Sequence, residues 1–213
     1  MANKIEHYSL SEKVYRELMK RILNGDYQTG ERMREEQICN DLGVSRTPVR
    51  ESLIRLVREG ILEQRPRCGC VVRQLPEKEI NDLLECRKIL ECLILYKYFD
   101  KLDMGKVKKL EQSLVLAQKK SNDKLREELL HIDEALHDII IESCDNSFLS
   151  SEVKKLKLLC RPYRVVRCAE EENISAIIAE RSEIIKAILS GNLPKSEKLL
   201  ASHFDRSRNY YLK

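Results

Sequence analysis

Asp133 and His137 stand one helical turn apart, a spacing that points both side chains the same way. Leu125, Leu129, Ile132, Leu136 and Ile140 recur around them at helical intervals, so the pair lies on or beside a buried stripe. A carboxylate and an imidazole placed like this are metal-ligand types. By the same pattern His203 faces inward beside Leu199, Leu200 and Phe204. Arg181 is flanked by Ile177, Ile178, Ile184 and Ile185, and Arg87 by Leu83, Leu84, Leu90 and Ile94, with Glu91 one turn on. A buried guanidinium needs a carboxylate, from the protein or from a ligand. Its planar fork suits that partner because it binds bidentately. Two readings of these five residues stand side by side: a closed ion-pair network in the core, or a shared pocket for a small anion.

A second stretch, Gly43-Val44-Ser45-Arg46-Thr47-Pro48-Val49-Arg50-Glu51-Ser52-Leu53, carries a different chemistry. Gly43 supplies the permissive backbone of a tight turn. Ser45 suits a helix N-cap, and Pro48 falls in the first turn, where no intrahelical N–H is needed. Val49, Leu53, Leu56 and Val57 form one buried face. Arg46, Thr47 and Arg50 then lie at the end that meets base edges when a recognition helix enters a major groove. The alternative is an ordinary capped helix with surface arginines. Charge favours the first: residues 44–74 hold seven Arg against three Glu, so this segment alone carries the +4 of the whole chain. A positive field so localised suits phosphate binding.

Elements to position these residues follow from periodicity and breakers. Helices are expected over about 9–24, 34–42 and 46–59, with a turn at 26–30 and Gly60 ending the third. Short strands follow at 61–64 and 70–73, joined by a turn at 66–69. Gln74-Leu75-Pro76 marks a boundary. Beyond it the pattern predicts helices at about 77–100, 104–120, 123–144, 147–167, 171–190 and 194–212, with Pro162 kinking or shortening the fourth. The expected fold is mainly α: a DNA-binding domain over 1–74, then an all-α six-helix antiparallel bundle over 75–213 with room for an interior site. High charge, few aromatics and no Trp agree with a helical protein. No apolar run reaches the ~20 residues of a membrane span, and the N-terminus lacks a signal-peptide core. The expected location is cytoplasmic, with no membrane partner.

Six of the eight cysteines, Cys39, Cys86, Cys92, Cys144, Cys160 and Cys168, fall mostly in helical patterns and read as small apolar residues. Cys68-Gly69-Cys70 stands apart. Arg65 and Arg67 beside it would lower the thiolate pKa values, which opens a redox- or metal-responsive alternative through Cys68 and Cys70.

Further motifs, Leu10-Ser11-Glu12-Lys13-Val14-Tyr15, Ile22-Leu23-Asn24-Gly25, Thr29-Gly30-Glu31-Arg32 and Glu59-Gly60-Ile61-Leu62, frame the Asp41-to-Glu51 stretch. Together the first 75 residues or so resemble the winged helix-turn-helix domain of GntR-family transcription regulators. The resemblance implies a homodimer on a double-stranded DNA operator, often as a repressor, with contacts from Arg46, Thr47 and Arg50 and a minor-groove approach by wing residue Gly69. Asp133-x-x-x-His137, Ile184-Ile185-x-Ala187-Ile188-x-x-Gly191, Ser202-His203-Phe204 and Glu85-x-Arg87-x-x-Leu90-Glu91 are similar to the FadR-like branch with an FCD-type ligand-binding domain. This resemblance makes 75–213 an effector-binding and dimerisation domain. Many members hold a divalent metal such as zinc or nickel with one Asp and three His, and bind a small carboxylate effector beside it. Asp133, His137 and His203 match three of those ligands, and Arg181 stands at the place of the fourth. Either three residues bind a metal, or Arg181 supplies the charge in its place and, with Arg87, grips the anion directly. A metal-dependent enzyme using Asp133, His137 and His203 is the remaining alternative.

Overall fold

The computed structural model describes residues 9–120, 122–170 and 174–210. The chain divides into two compact units, Met1–Gln74 and Leu75–Lys213.

The first unit contains α1 (Leu10–Asn24), α2 (Glu35–Leu42), α3 (Arg46–Arg58), β1 (Leu62–Arg65) and β2 (Gly69–Val72). Ser9 starts α1 by accepting the Glu12 amide at 3.2 Å. Val14, Leu18 and Ile22 repeat along its buried face, which packs on α3. There the buried Ser52 hydroxyl lies 2.7 Å from the Pro48 carbonyl and 2.8 Å from that of Ser11, tying the two helices together. Gly43, at φ 62°, closes α2 and turns the chain into α3, as its missing Cβ allows. Ser45 takes the N-cap position of α3, but its side chain makes no capping bond.

β1 and β2 pair antiparallel, Leu62 opposite Val72 and Arg65 opposite Gly69. Each strand is displaced by one residue from its sequence expectation. The segment around Arg32 adds a third edge, pairing with Val71 and bonded through Gly30 to Val72 and through Met33 to Cys70. Its residues do not alternate in polarity, so periodicity assigns it no strand.

The second unit consists of α4 (Glu77–Tyr98), a 3-10 turn (Phe99–Lys101), α5 (Met104–Ala117), α6 (Asn122–Glu142), α7 (Ser147–Glu170), α8 (Ile174–Leu189) and α9 (Leu193–Tyr210). α4 packs against α6, α7 and α9, and α8 lies between α5, α6 and α9. Ile94, Leu95, Ile132, Leu136, Ile184, Ile188 and Leu200 fill the core. α7 runs through position 162 without ending. Its packing on α4 and α6 outweighs the ~3 kcal/mol that a proline costs inside a helix. The side chains of Pro162 and Cys168, the predicted start of α8 at 171 and the end of α9 at 211–212 lie outside the described residues. Cys160 is buried as expected, whereas Cys86 is exposed. Among the described residues no helix is long and apolar enough to cross a membrane.

Candidate effector pocket and DNA-reading helix

Inside the second unit, α6 carries Asp133 and His137, α8 carries Arg181, α9 carries His203 and α4 carries Arg87, all on buried faces. Arg181 Nη2 lies 3.0 Å from Asp133 Oδ1, with 1% and 0% of the two side chains exposed. His203 Nε2 lies 3.4 Å from the same oxygen, and its Nδ1 lies 3.4 Å from Oε2 of Glu180. A neutral imidazole donates from one nitrogen only, so one of those two carboxylates faces its lone pair. His137 stands beside His203, ring centroids 5.3 Å apart, and its Nδ1 is hydrogen-bonded to Glu91. Arg87 grips that same glutamate, its Nε at 2.9 Å and Nη2 at 2.6 Å from Oε1. The Arg87 guanidinium also sits 5.2 Å from the Phe204 ring centroid, a cation–π distance.

Two linked networks result: Arg87–Glu91–His137, and Asp133–Arg181 with His203 and Glu180. Burial pushes His203 down to about 3 against the opposing pull of Glu180, and it lowers His137 too. Both rings are neutral at pH 7. Burial would raise Glu91, but Arg87 and then His137 outweigh it and hold the carboxyl at about 2. Glu180 is likewise held at about 2, burial being overcome by the adjacent His203 ring and the charges of Arg181 and Arg206.

The structure therefore supplies Arg87 with a carboxylate from its own helix, one turn away. Glu180 and Arg206, the latter 3.4 Å from it, escape the sequence reading. Glu180 had a partial signal: it stands three residues after Ile177 and four before Ile184, at the margin of the same buried stripe.

Asp133, His137 and His203 each offer a ligand atom, all within 4.8 Å of one another. The Glu91 bond orients His137 as an outer carboxylate commonly orients a metal-binding imidazole. Among the described residues the donor set stops at three. Arg181 has no lone pair to give, and its charge lies against the very oxygen that would ligate. The four residues do not fit a four-ligand metal centre.

In the first unit Arg46, Thr47 and Arg50 are exposed on the N-terminal turns of α3, and Gly69 sits at φ 81° beside the wing turn. Between the start of α2, α3 and the wing runs a cleft of about 440 Å³ lined by Arg32, Arg34, Glu35, Arg50, Gln64 and Gly69. Arg50 Nε donates to Glu35 Oε2 at 2.8 Å. Cys68 is exposed, while Cys70 is partly buried and bonds Gln64 at 3.1 Å. The expectation of lowered thiolate pKa values fails at Cys70, where burial and then the charge of Glu35 raise the thiol. Of the two neighbouring arginines, Arg65 is paired with Glu63 at 2.6 Å.

Residues 10–72 match the family model of bacterial regulatory proteins of the gntR family, and residues 82–206 match that of the FCD domain. The gluconate operon transcriptional repressor of Bacillus licheniformis is 28% identical over 206 residues, covering 92% of this chain and 83% of its own. Among solved structures, E. coli McbR/YncC superposes with a TM-score of 0.80 at 20% identity, covering 96% and 98% of the two chains. The Zn2+-bound FCD domain of TM0439 superposes at 0.53 and 23% identity, over 65% of this chain and 95% of that one. These families and relatives are transcription regulators, which sets the enzyme alternative aside. With a helix-turn-helix unit followed by an FCD domain that spans more than half its length, the chain belongs to the GntR family of DNA-binding transcription regulators.

Proposed function

We propose that this regulator binds its operator as a homodimer and releases or engages it in response to a small carboxylate effector held without a metal. The observation that carries the proposal is the buried Arg181–Asp133 pair at 3.0 Å, set among His137 and His203. A guanidinium there gives the positive charge that a metal would otherwise bring to an anionic ligand. An effector carboxylate exchanges with Asp133 on Arg181, and the neutral imidazoles of His137 and His203 orient its remaining polar atoms. Arg87 acts one step back, fixing Glu91 and through it the ring of His137. A relative that represses a gluconate operon makes a carboxylate a reasonable effector class.

On the DNA side, α3 lies in the major groove with Arg46, Thr47 and Arg50 toward base edges, while Gly69 lets the wing approach the minor groove. Two copies then occupy half-sites related by two-fold symmetry, in the cytoplasm where the operator is. The effector acts by binding the two arrangements of the dimer unequally.

The test is metal content together with thermal shifts on the purified protein across a panel of small carboxylic acids. The expected result is no stoichiometric metal and at least one stabilising acid, whose shift disappears in Arg181→Ala. About one metal per chain would overturn metal independence. No shift from any acid, with operator binding intact, would overturn the effector class.

A further inference from the structure

Glu35 makes the closest polar contact to a proposed base-reading residue. It opens α2, is partly exposed at 38%, and holds Arg50 through Nε at 2.8 Å, while Arg50 itself is 59% exposed. Held at Nε, the guanidinium keeps Nη1 and Nη2 free. That end-on fork is the one that can bind the O6 and N7 of a guanine together. The same carboxylate places a negative charge beside the arginine. A phosphate, which needs only positive charge, is thereby disfavoured more than a base edge, which needs an oriented pair of donors.

From this geometry we infer that Glu35 is a specificity-determining residue: it positions Arg50 for a base edge and withholds it from the phosphate backbone. The inference rests on the reading of α3 as the operator-contacting helix. Neither partner depends on burial, so the contact governs recognition and contributes little to stability, as exposed pairs do. Glu36, which follows in the same turn, keeps a favourable charge at the N-terminus of α2 when Glu35 is neutralised.

Two DNA probes test it: a random-sequence duplex, and a duplex selected from a random library by the wild-type protein. In Glu35→Gln, affinity for the random duplex should rise about threefold or more, because Arg50 becomes available to phosphate. The slope of log K against log salt should steepen by about one contact. Affinity for the selected duplex should not rise in step, so the ratio between the two falls. Combining Glu35→Gln with Arg50→Ala should return both the random-duplex affinity and the slope to those of Arg50→Ala alone. An unchanged slope and ratio in Glu35→Gln would overturn the inference. So would an equal rise with and without Arg50, since the effect would then be general charge removal. Failure of the wild-type protein to select any duplex would instead remove the reading of α3 on which it rests.

Discussion

Asp133 on α6 and Arg181 on α8 meet at 3.0 Å in the centre of the bundle, each with essentially no solvent exposure. Partners of this kind are hard to separate, because removing one strands the other in a medium that does not solvate it.

Arg181→Ala is therefore expected to destabilise the bundle by about 3–5 kcal/mol, measured by urea unfolding, as well as to lose the effector response. Arg181→His tests the same position by a different route. It should supply a third imidazole as the fourth ligand and raise affinity for zinc or nickel, measured by calorimetric titration. No gain in metal affinity would show that position 181 does not face the three donors.

Acid should weaken the fold in two stages. His203 is neutral and buried, with its folded pKa near 3 against an ordinary 6.5. As pH falls below 6.5 the unfolded chain gains a proton that the folded one refuses, so stability drops by up to about 1.4 kcal/mol per pH unit. Glu91, held near 2 against 4.5, contributes stability that is present above 4.5 and is lost as pH falls toward 2. Urea midpoints measured from pH 7 to 3 should decline first through the histidine window. In His203→Gln the decline between pH 6.5 and 4.5 should shrink, with His137, also lowered by burial, contributing the rest; an unchanged decline would place the proton elsewhere.

Arg50→Ala should cost about 1–3 kcal/mol in binding to the selected duplex, read by fluorescence anisotropy. Random-sequence duplex should be affected less, because Glu35 already offsets the charge. Equal affinity of variant and wild type for the selected duplex would take Arg50 out of the readout.

Cys70 should react slowly with iodoacetamide at neutral pH and faster only under alkaline conditions, since burial and Glu35 keep its thiol protonated. Mass-spectrometric alkylation rates check this. Rapid reaction at pH 7 would revive a thiol switch in the wing.

Much of this was legible in the residues themselves. The turn of Gly43, the exposed Arg46, Thr47 and Arg50, and the inward pair of Asp133 and His137 follow from helical spacing, which a single element obeys on its own. Partner choice was less accessible. Arg87 reads as a buried cation wanting a carboxylate, and Glu91 stands one turn away, yet spacing does not say that His137 shares that glutamate. Glu180 hides because a carboxylate on the margin of an apolar stripe looks solvated until α9 brings His203 and Arg206 to it. The strand edge at Arg32 was missed for a related reason. Its pairing is set by β2, which comes later in the chain, and not by any alternation of its own.

Arg87 and Glu91 also differ from Asp133 and Arg181 in when they can find each other. The first pair lies within one helix and can close as soon as α4 winds, without bringing distant parts of the chain together. The second has α7 between its members and waits for α8 to fold back against α6. The charges of Arg87 and Glu91 can therefore cancel before α4 joins the bundle, whereas Asp133 needs the later helices for its partner. On this ordering, substitutions at Arg181 should chiefly hasten unfolding and leave the folding rate nearly unchanged. The residue proposed to grip the effector would then also act as the latch that holds the finished bundle shut.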